Sequence, residues 1–400
     1  MSILYNRFNC KLEGRDMMDE LKYSSMMDAV VDIPDPRKAR GKRHRWDVLL
    51  TLISAALLCG QRSGRAIGQW VDDHTVDLMT HLPLPHKPLP STATFRRALR
   101  AIDVTALETR LEQFAQTVPV TPPPETAPWQ GLAVDGKAVR GAQLHREPVH
   151  LVSLVCHGSG VVRKQVRVAD KSNEITAVPL LLEGRDLQGT VTTMDALLTQ
   201  QAIARQIRKQ QGHYLMMVKK NQPDLYRAID LVFQLPPPPL ADHHLDQVTT
   251  VNKGHGRLET RTLERTCALN GYLDWPEVGQ VMRRTCQRIT LTTGEVSEEV
   301  RYGVTSLGWQ EADARLVEAL WRGHWGIENK VHYVRDVTFG EDVSRIHVGQ
   351  APQALAALRN GLLTLLRSTG VTHIADAVRS YAASLPETFQ LLGGRLGVWY

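Results

Sequence analysis

The sequence predicts an α/β catalytic core interrupted by a β-rich insertion and preceded by a small all-α domain. Three observations carry this expectation. Apolar residues recur at helical spacing up to about residue 117, and a proline-rich stretch follows. Beyond it, three consecutive strand-like runs give way to alternating helices and strands. A second proline cluster, Pro236 to Pro239, then opens a long strand-like region that ends only at a long helix near Ala312. The order implies a helical domain over 1–117, a linker over 118–129, the first part of the core over 130–235, the insertion over 236–310 and a closing helical part over 311–400.

Composition bounds the function. Four hundred residues with 42% hydrophobic and 22% charged content describe a globular chain of more than one module, neither disordered nor membrane-embedded. The longest apolar run, Val48 to Cys59, is too short to span a bilayer, so it reads as a core helix and no membrane partner is expected. The first residues lack the basic-then-apolar order of a secretory signal, so a cytoplasmic protein is expected. The cysteines, Cys10, Cys59, Cys156, Cys267 and Cys286, are odd in number and scattered, arguing against a disulfide framework or a zinc ribbon. A net charge of +6 favours a polyanionic partner.

The elements follow in order. Arg37, Lys38, Arg40, Lys42, Arg43 and Arg45 crowd one loop after Pro34-Asp35-Pro36, matching the whole net excess. The loop either contacts a phosphate backbone or is simply solvated. Helical spacing covers Trp46–Leu58, Ser63–Leu78 and Ser91–Ile102. The last opens on Ser91 and Thr92 as caps and carries Arg96, Arg97 and Arg100, as a DNA-reading helix or as a plain bundle helix with arginines in solvent. Strands are expected at Gly131–Val139, Val149–His157, Val161–Val168, Thr190–Met194 and Tyr214–Val218, with helices at Glu174–Leu182, Ala196–Lys209 and Asp224–Phe233. From Gln247 to Thr305 the chain is strand-like again, with Arg257, Glu259 and Arg261 alternating against Leu258, Thr260 and Thr262. Helices at Ala312 to about Val334 and Ala351–Arg367 close the core.

Phosphate-binding GxxxxGK[ST], HExxH and GxSxG patterns are absent, which removes support for nucleotide hydrolysis, zinc proteolysis and serine esterase chemistry. What remains is acidic. Asp135 in VDGKAVRG either ends an apolar run at a site or forms an Asp-Gly hairpin turn. Asp195 in TTMDALL either serves a site or caps the next helix. Strands one and four of an α/β sheet can lie side by side, bringing both carboxylates to one edge. At 100° per residue Trp321, His324, Trp325, Glu328, His332 and Arg335 share a stripe beside the core face, and Asp336 is rotated about 80° away. Hard oxygen ligands of this kind suit two Mg²⁺ or Mn²⁺ ions and phosphodiester cleavage and transfer.

Ordered motifs from Ile33 to Arg367, among them IPDPRKARGKRH, LLCGQRSGRAIGQW, VDGKAVRG, NEITAVPLLL, VTTMDALLTQ, VKKNQ, HGRLETR and HWGIENKVHYVRDVTFGEDVSR, carry a resemblance. The chain resembles the DDE transposases of bacterial insertion sequences, in the ISAs-type group that includes the H-repeat-associated proteins. The resemblance implies a ribonuclease-H-like core with a β-rich insertion before the last acidic residue. It also implies a metal-binding catalytic triad of Asp135, Asp195 and Glu328, and double-stranded DNA, transposon ends and target, as partner. A homodimer on DNA is expected by analogy. Relatives place Tyr-x₂-Arg-x₃-Glu-x₆-Lys around their glutamate; here the spacing reads Trp321, His324, Glu328 and Arg335. Lys219, Lys220, Asn221 and Gln222 match the family's Lys-Gly-Asn-Gln, with Lys220 in place of glycine, as DNA contacts or as a strand end with an Asn cap. Lys137 and Arg140 are candidate phosphate contacts. His255, Arg257 and Arg261 either touch DNA or pair with Glu259. Competing readings are a domesticated, non-catalytic DNA-binding protein and a nuclease that cuts without joining.

Overall fold

The computed structural model describes residues 25–39, 42–81, 88–119, 128–142, 148–169, 172–234 and 245–393. Most of the proline-rich linker, the cluster at Pro236–Pro239, Arg40 and Cys10 lie outside them. The first six helices are α1 (Met26–Val31), α2 (Trp46–Leu58), α3 (Gly64–Asp73), α4 (Thr75–His81), α5 (Thr92–Ala101) and α6 (Val104–Thr117). Ser63 and Asp103 cap α3 and α6 by accepting from the amides of Ala66 and Ala106. The apolar run is α2, buried over nearly its whole surface, as its composition requires.

A mixed nine-stranded sheet follows: β1 (Gln130–Val139), β2 (Val149–Cys156), β3 (Val162–Arg167), β4 (Thr190–Met194), β5 (His213–Val218), β6 (Leu245–Gly254), β7 (Arg257–Thr266), β8 (Gln280–Thr290) and β9 (Val296–Thr305). Its order is β3-β2-β1-β4-β5-β9-β8-β7-β6. The first three strands are antiparallel, and β1, β4 and β5 run parallel through crossovers at α7 (Glu174–Leu182) and α8 (Gln201–Lys209). After α9 (Pro223–Gln234) come the four strands expected as an insertion. They extend the same sheet, because β9 pairs antiparallel with β5 from Leu215↔Thr305 to Val218↔Tyr302.

The closing helices are α10 (Ala314–His324), α11 (Ala351–Ser368), α12 (Ile374–Ala383) and α13 (Leu385–Leu391). Buried from Ala351 to Leu366, α11 packs against α2, α5 and α6 on one side and β3 on the other. The helical segment and the sheet thus share one hydrophobic core. Truncating Leu358 or Leu362 to alanine there would cost about 2–5 kcal/mol.

Three expected boundaries shift. The stretch 63–78 is two helices, broken at His74, and α8 starts only at Gln201 because the residues after Asp195 form a turn. The long helix is α-helical only to His324. From Glu328 to His332 and from Val334 to Thr338 it is π-helical, with amides bonding five residues back, as in Tyr333 to Glu328 and Phe339 to Val334. Such widened turns are rare and gather at functional sites.

Candidate active site

The parallel register of β1 and β4 runs from Gln130↔Thr190 to Val134↔Met194, so Asp135 and Asp195 are the next residues on neighbouring strands. Strand separation places such a pair about 4.8 Å apart along the sheet. Asp135 lies inside β1, paired with Ser153 of β2, so Asp135-Gly136 is no hairpin turn. Asp195 ends β4 and uses one oxygen to accept from the Leu198 amide at 3.1 Å. That turn is held from outside: Asn221 donates to the Ala196 carbonyl at 2.7 Å and Gln222 to the Thr199 carbonyl at 2.9 Å. These two amides position the Asp195 loop, while Lys219 and Lys220 remain exposed beside it.

Glu328 arrives from the first π-helical turn. His332 Nδ1 lies 3.2 Å from Glu328 Oε2 and 3.5 Å from Asp135 Oδ2. One ligand atom from each of the three falls within 4.8 Å of the others. Burial keeps His332 below the usual imidazole range, so the neutral ring donates from Nδ1 to Glu328; this hydrogen bond chiefly lowers the Glu328 carboxyl. The second ring nitrogen, Nε2, is buried without a partner among the described residues.

A fourth carboxylate stands here that the sequence reading did not single out. Glu174, the first residue of α7, lies against Gly136, where any Cβ would collide with its carboxyl group. Burial pushes Asp135 up to about 7, and the negative charges of Asp195, Glu174 and Glu328 add to the effect. Burial, then Asp195, likewise raises Glu174. Lys137, the nearest cation, is committed at 2.6 Å to Asp336 and lies 4.0 Å from Asp342. Asp336, which an α-helical period turns away from Glu328, reaches this lysine from the second π-helical turn.

Behind the site the helix is locked to the sheet. His324 Nδ1 and His157 Nε2 lie 3.1 and 2.8 Å from the Thr193 hydroxyl. Burial drives these imidazoles down to about 4 and about 3, so both are neutral at pH 7. Trp321 is fully buried against Gly303 of β9. Arg335, also fully buried, pairs with Glu341 at 2.6 Å, and Glu341 takes Arg359 at 3.3 Å. Of the residues that the motif spacing sets around Glu328 as candidate DNA contacts, Trp321 and Arg335 thus lie in the core and His324 is an uncharged anchor.

The remaining basic candidates divide. In the Arg37–Arg45 loop, Arg37 clasps Asp35 at 2.9 Å, donates to the His44 carbonyl and lies 5.2 Å from the Trp46 ring centre; Lys42 also reaches Asp35. Arg45 pairs with Asp47 at 2.6 Å, Arg43 has a partner within the chain, and Lys38 is exposed. Local carboxylates thus neutralise part of the loop. On α5, Phe95, Ala98 and Leu99 are buried while Arg96, Arg97 and Arg100 are exposed. Arg96 and Arg100 line a cavity of about 320 Å³ with Arg345 and His347. Arg140 is exposed, its backbone amide donating to Asp342.

His255 is exposed in the left-handed turn between β6 and β7. Arg257 at 2.8 Å, Arg288 at 3.1 Å and Arg261 surround the buried Glu259, so the pairing expected as an alternative exists. It does not exhaust the charge. A groove of about 540 Å³ carries Arg257, Arg261, Arg284, Arg288, Arg301, Arg322 and Lys330 against Glu259 and Glu299. Trp325 sits between Arg284 and Arg301, with guanidinium carbons 5.4 and 5.1 Å from its ring centre. The groove continues to Asn329 and Lys330, the residues after Glu328.

Clustered carboxylates at sheet ends, bordered by a cationic groove, suit an enzyme that processes nucleic acid. The chain belongs to the transposase DDE domain family, whose model matches residues 96–365; a second model, described as DDE_Tnp_1-associated, matches residues 27–115. The resemblance read from the motifs is thereby borne out. It is similar to "Putative transposase YncI" of Escherichia coli O157:H7, 28% identical over 87% of this chain and 88% of that protein. It is also similar to "H repeat-associated putative transposase YhhI" of Escherichia coli (strain K12), 26% identical over 88% of this chain and 92% of that protein. Among solved structures, a piggyBac transposase synaptic complex with hairpin DNA aligns with a TM-score of 0.46 at 10% identity, covering 95% of this chain and 81% of that one. Among the described residues no helix is long and apolar enough to cross a membrane.

Proposed function

We propose that this protein is the transposase of a bacterial insertion sequence. It binds double-stranded DNA at the element ends, cuts it with two Mg²⁺ or Mn²⁺ ions held by Asp135, Asp195 and Glu328, and joins the freed 3′ ends to target DNA. The observation that carries this reading is the convergence of three carboxylates from β1, the end of β4 and the helix after α10, with the nearest lysine already paired. The order β3-β2-β1-β4-β5 supports a ribonuclease-H-like core, with β6 to β9 in the place of the insertion.

The donor set fits hard divalent ions: oxygen ligands in a partly buried cluster in which Asp195, Glu174 and Glu328 repel Asp135. Ions held by these carboxylates would supply Lewis-acid polarisation of the scissile phosphate and of the attacking oxygen. The chain's own groups prepare the place. Asp135 must lose its proton to serve as a ligand, His332 fixes the rotamer of Glu328, and Asn221 and Gln222 hold the loop of Asp195. The β7–β9 groove, the exposed arginines of α5 and Lys219 and Lys220 supply cationic surface for the phosphate backbone.

The test is purified protein with end-labelled DNA spanning the flanks of its gene. Nicks at the element ends and joined products should form with Mg²⁺ or Mn²⁺ and vanish in EDTA. Salt-sensitive binding without nicks would instead mark a non-catalytic DNA-binding protein, and cutting without joined products a nuclease.

A further inference from the structure

We infer that the cavity between α5 and the loop leading into α11 holds one backbone phosphate of bound DNA, gripped jointly by Arg96 and Arg100 of α5 and by Arg345 and His347 of that loop. This inference rests on the proposed DNA-binding reading and adds to it a defined phosphate seat with two further residues, Arg345 and His347.

The seat is assembled by tertiary packing. The loop leaves the active site at Glu341, buried against Arg335 and Arg359, and at Asp342, 4.0 Å from Lys137. It is then pressed against the turn after β1: a Cβ on Gly141 would collide with the carbonyl oxygen of Ser344, the residue before Arg345. Farther on, Gly349 turns the chain in the left-handed region at φ 60°, within van der Waals reach of the Arg100 backbone. Between these two fixed points Arg345 and His347 are carried to the exposed arginines of α5, and Leu99 and Ile346 give the cavity an apolar wall. His347 Nδ1 donates to the Arg345 carbonyl at 3.0 Å, which sets the ring.

Charge separates this cavity from the other basic surfaces. Arg37 and Arg45 are clasped by Asp35 and Asp47, and the groove of β7 to β9 contains Glu259 and Glu299. No acidic residue lines the cavity at α5, and among the described residues Arg96, Arg100 and Arg345 have no carboxylate partner. Three guanidinium groups around one space of about 320 Å³ repel one another until an anion enters. Ala351, the first residue of the 18-residue helix α11, also lines the cavity, so the positive end of that helix lies at its wall. Planar guanidinium forks match phosphate oxygens, and the apolar wall suits the sugar beside them. The position favours a phosphate of DNA. Asp135 and Gly141 are at most about 22 Å apart along the extended chain and Ser344 touches Gly141, so the cavity opens within about one helical turn of duplex, ~34 Å, of the carboxylates.

Fluorescence anisotropy of duplex DNA spanning the element ends, in EDTA and across a salt series, tests this apart from catalysis. Arg345→Ala and Arg100→Ala, both at exposed positions, should each weaken binding several-fold and lower the slope of log K against log salt by about 1. Because the two share one phosphate, the double variant should lose little more than either single one, its slope still lowered by only about 1. Arg345→Ala combined with Arg97→Ala, whose side chain lies outside the cavity, should instead multiply the two losses. Wild-type affinity and slope in Arg345→Ala, or fully multiplied losses for Arg100 and Arg345, overturns the inference. So does a Tm rise with inorganic phosphate that Arg345→Ala abolishes while its DNA affinity stays at the wild-type level, which marks a free-anion site. If the wild-type protein binds no DNA, the proposed function falls too; if it binds and cuts DNA with Arg345→Ala unaffected, only the phosphate seat falls.

Discussion

Metal-free protein should be stabilised when Asp135 is replaced by asparagine. Asp135 is raised from 3.8 to about 7, first by burial and then by three neighbouring carboxylates. Moving a carboxyl that far separates its charged and neutral forms by roughly 4 kcal/mol. Its side chain is 29% exposed, and water there reduces the cost to about 2–3 kcal/mol. The sign is fixed by the direction of the shift. With the folded value above the unfolded one, the favourable contribution of the protonated group is complete below pH 3.8 and is lost as pH rises through about 7. Asp135→Asn should therefore match wild type near pH 4, pull ahead between pH 4 and 7, and hold a constant lead above that. Urea unfolding in EDTA, followed by tryptophan fluorescence across this range, measures the lead directly. Mn²⁺ should reverse the order at pH 8, because wild type gains a ligand-linked term that the variant loses. A variant less stable than wild type in EDTA at pH 8, or a difference that does not change with pH, would refute the claim that these carboxylates strain one another.

Three further outcomes follow. Glu341→Gln leaves Arg335 and Arg359 buried without a countercharge and should destabilise by about 3–5 kcal/mol in urea unfolding. Glu108 is pushed up to about 7 by burial and accepts from Gln165 and Gln353, so Glu108→Gln should raise Tm at pH 8 and make little difference at pH 4. Arg97→Ala on the exposed face of α5 should weaken DNA binding equally for specific and unrelated sequences. It should also reduce the slope of log K against log salt by about 1.

Local pattern and motif go a long way here. The strands of the core and the paired aspartates are legible because apolar runs end at Asp135 and Asp195, and the parallel register then sets the two side by side. Glu328 is legible from its motif. Glu174 is not, because its neighbour Gly136 is distant in sequence and the two meet only through a crossover. The burial of Trp321, His324 and Arg335 is hidden for a related reason: a helix face looks exposed until Gly303, Thr193 and Glu341 are placed against it. Nor does alternation in β6 to β9 reveal that they join the sheet of β1 to β5, since the paired strands β5 and β9 lie far apart in sequence.

The most direct test of the central claim compares wild type with Asp195→Asn and Glu328→Gln on DNA spanning the element ends, reading nicks and joined products in Mg²⁺ or Mn²⁺ beside DNA affinity in EDTA. Both variants should bind DNA as wild type does and form neither product. Cutting and joining at wild-type rates by either variant would contradict the assignment of these carboxylates.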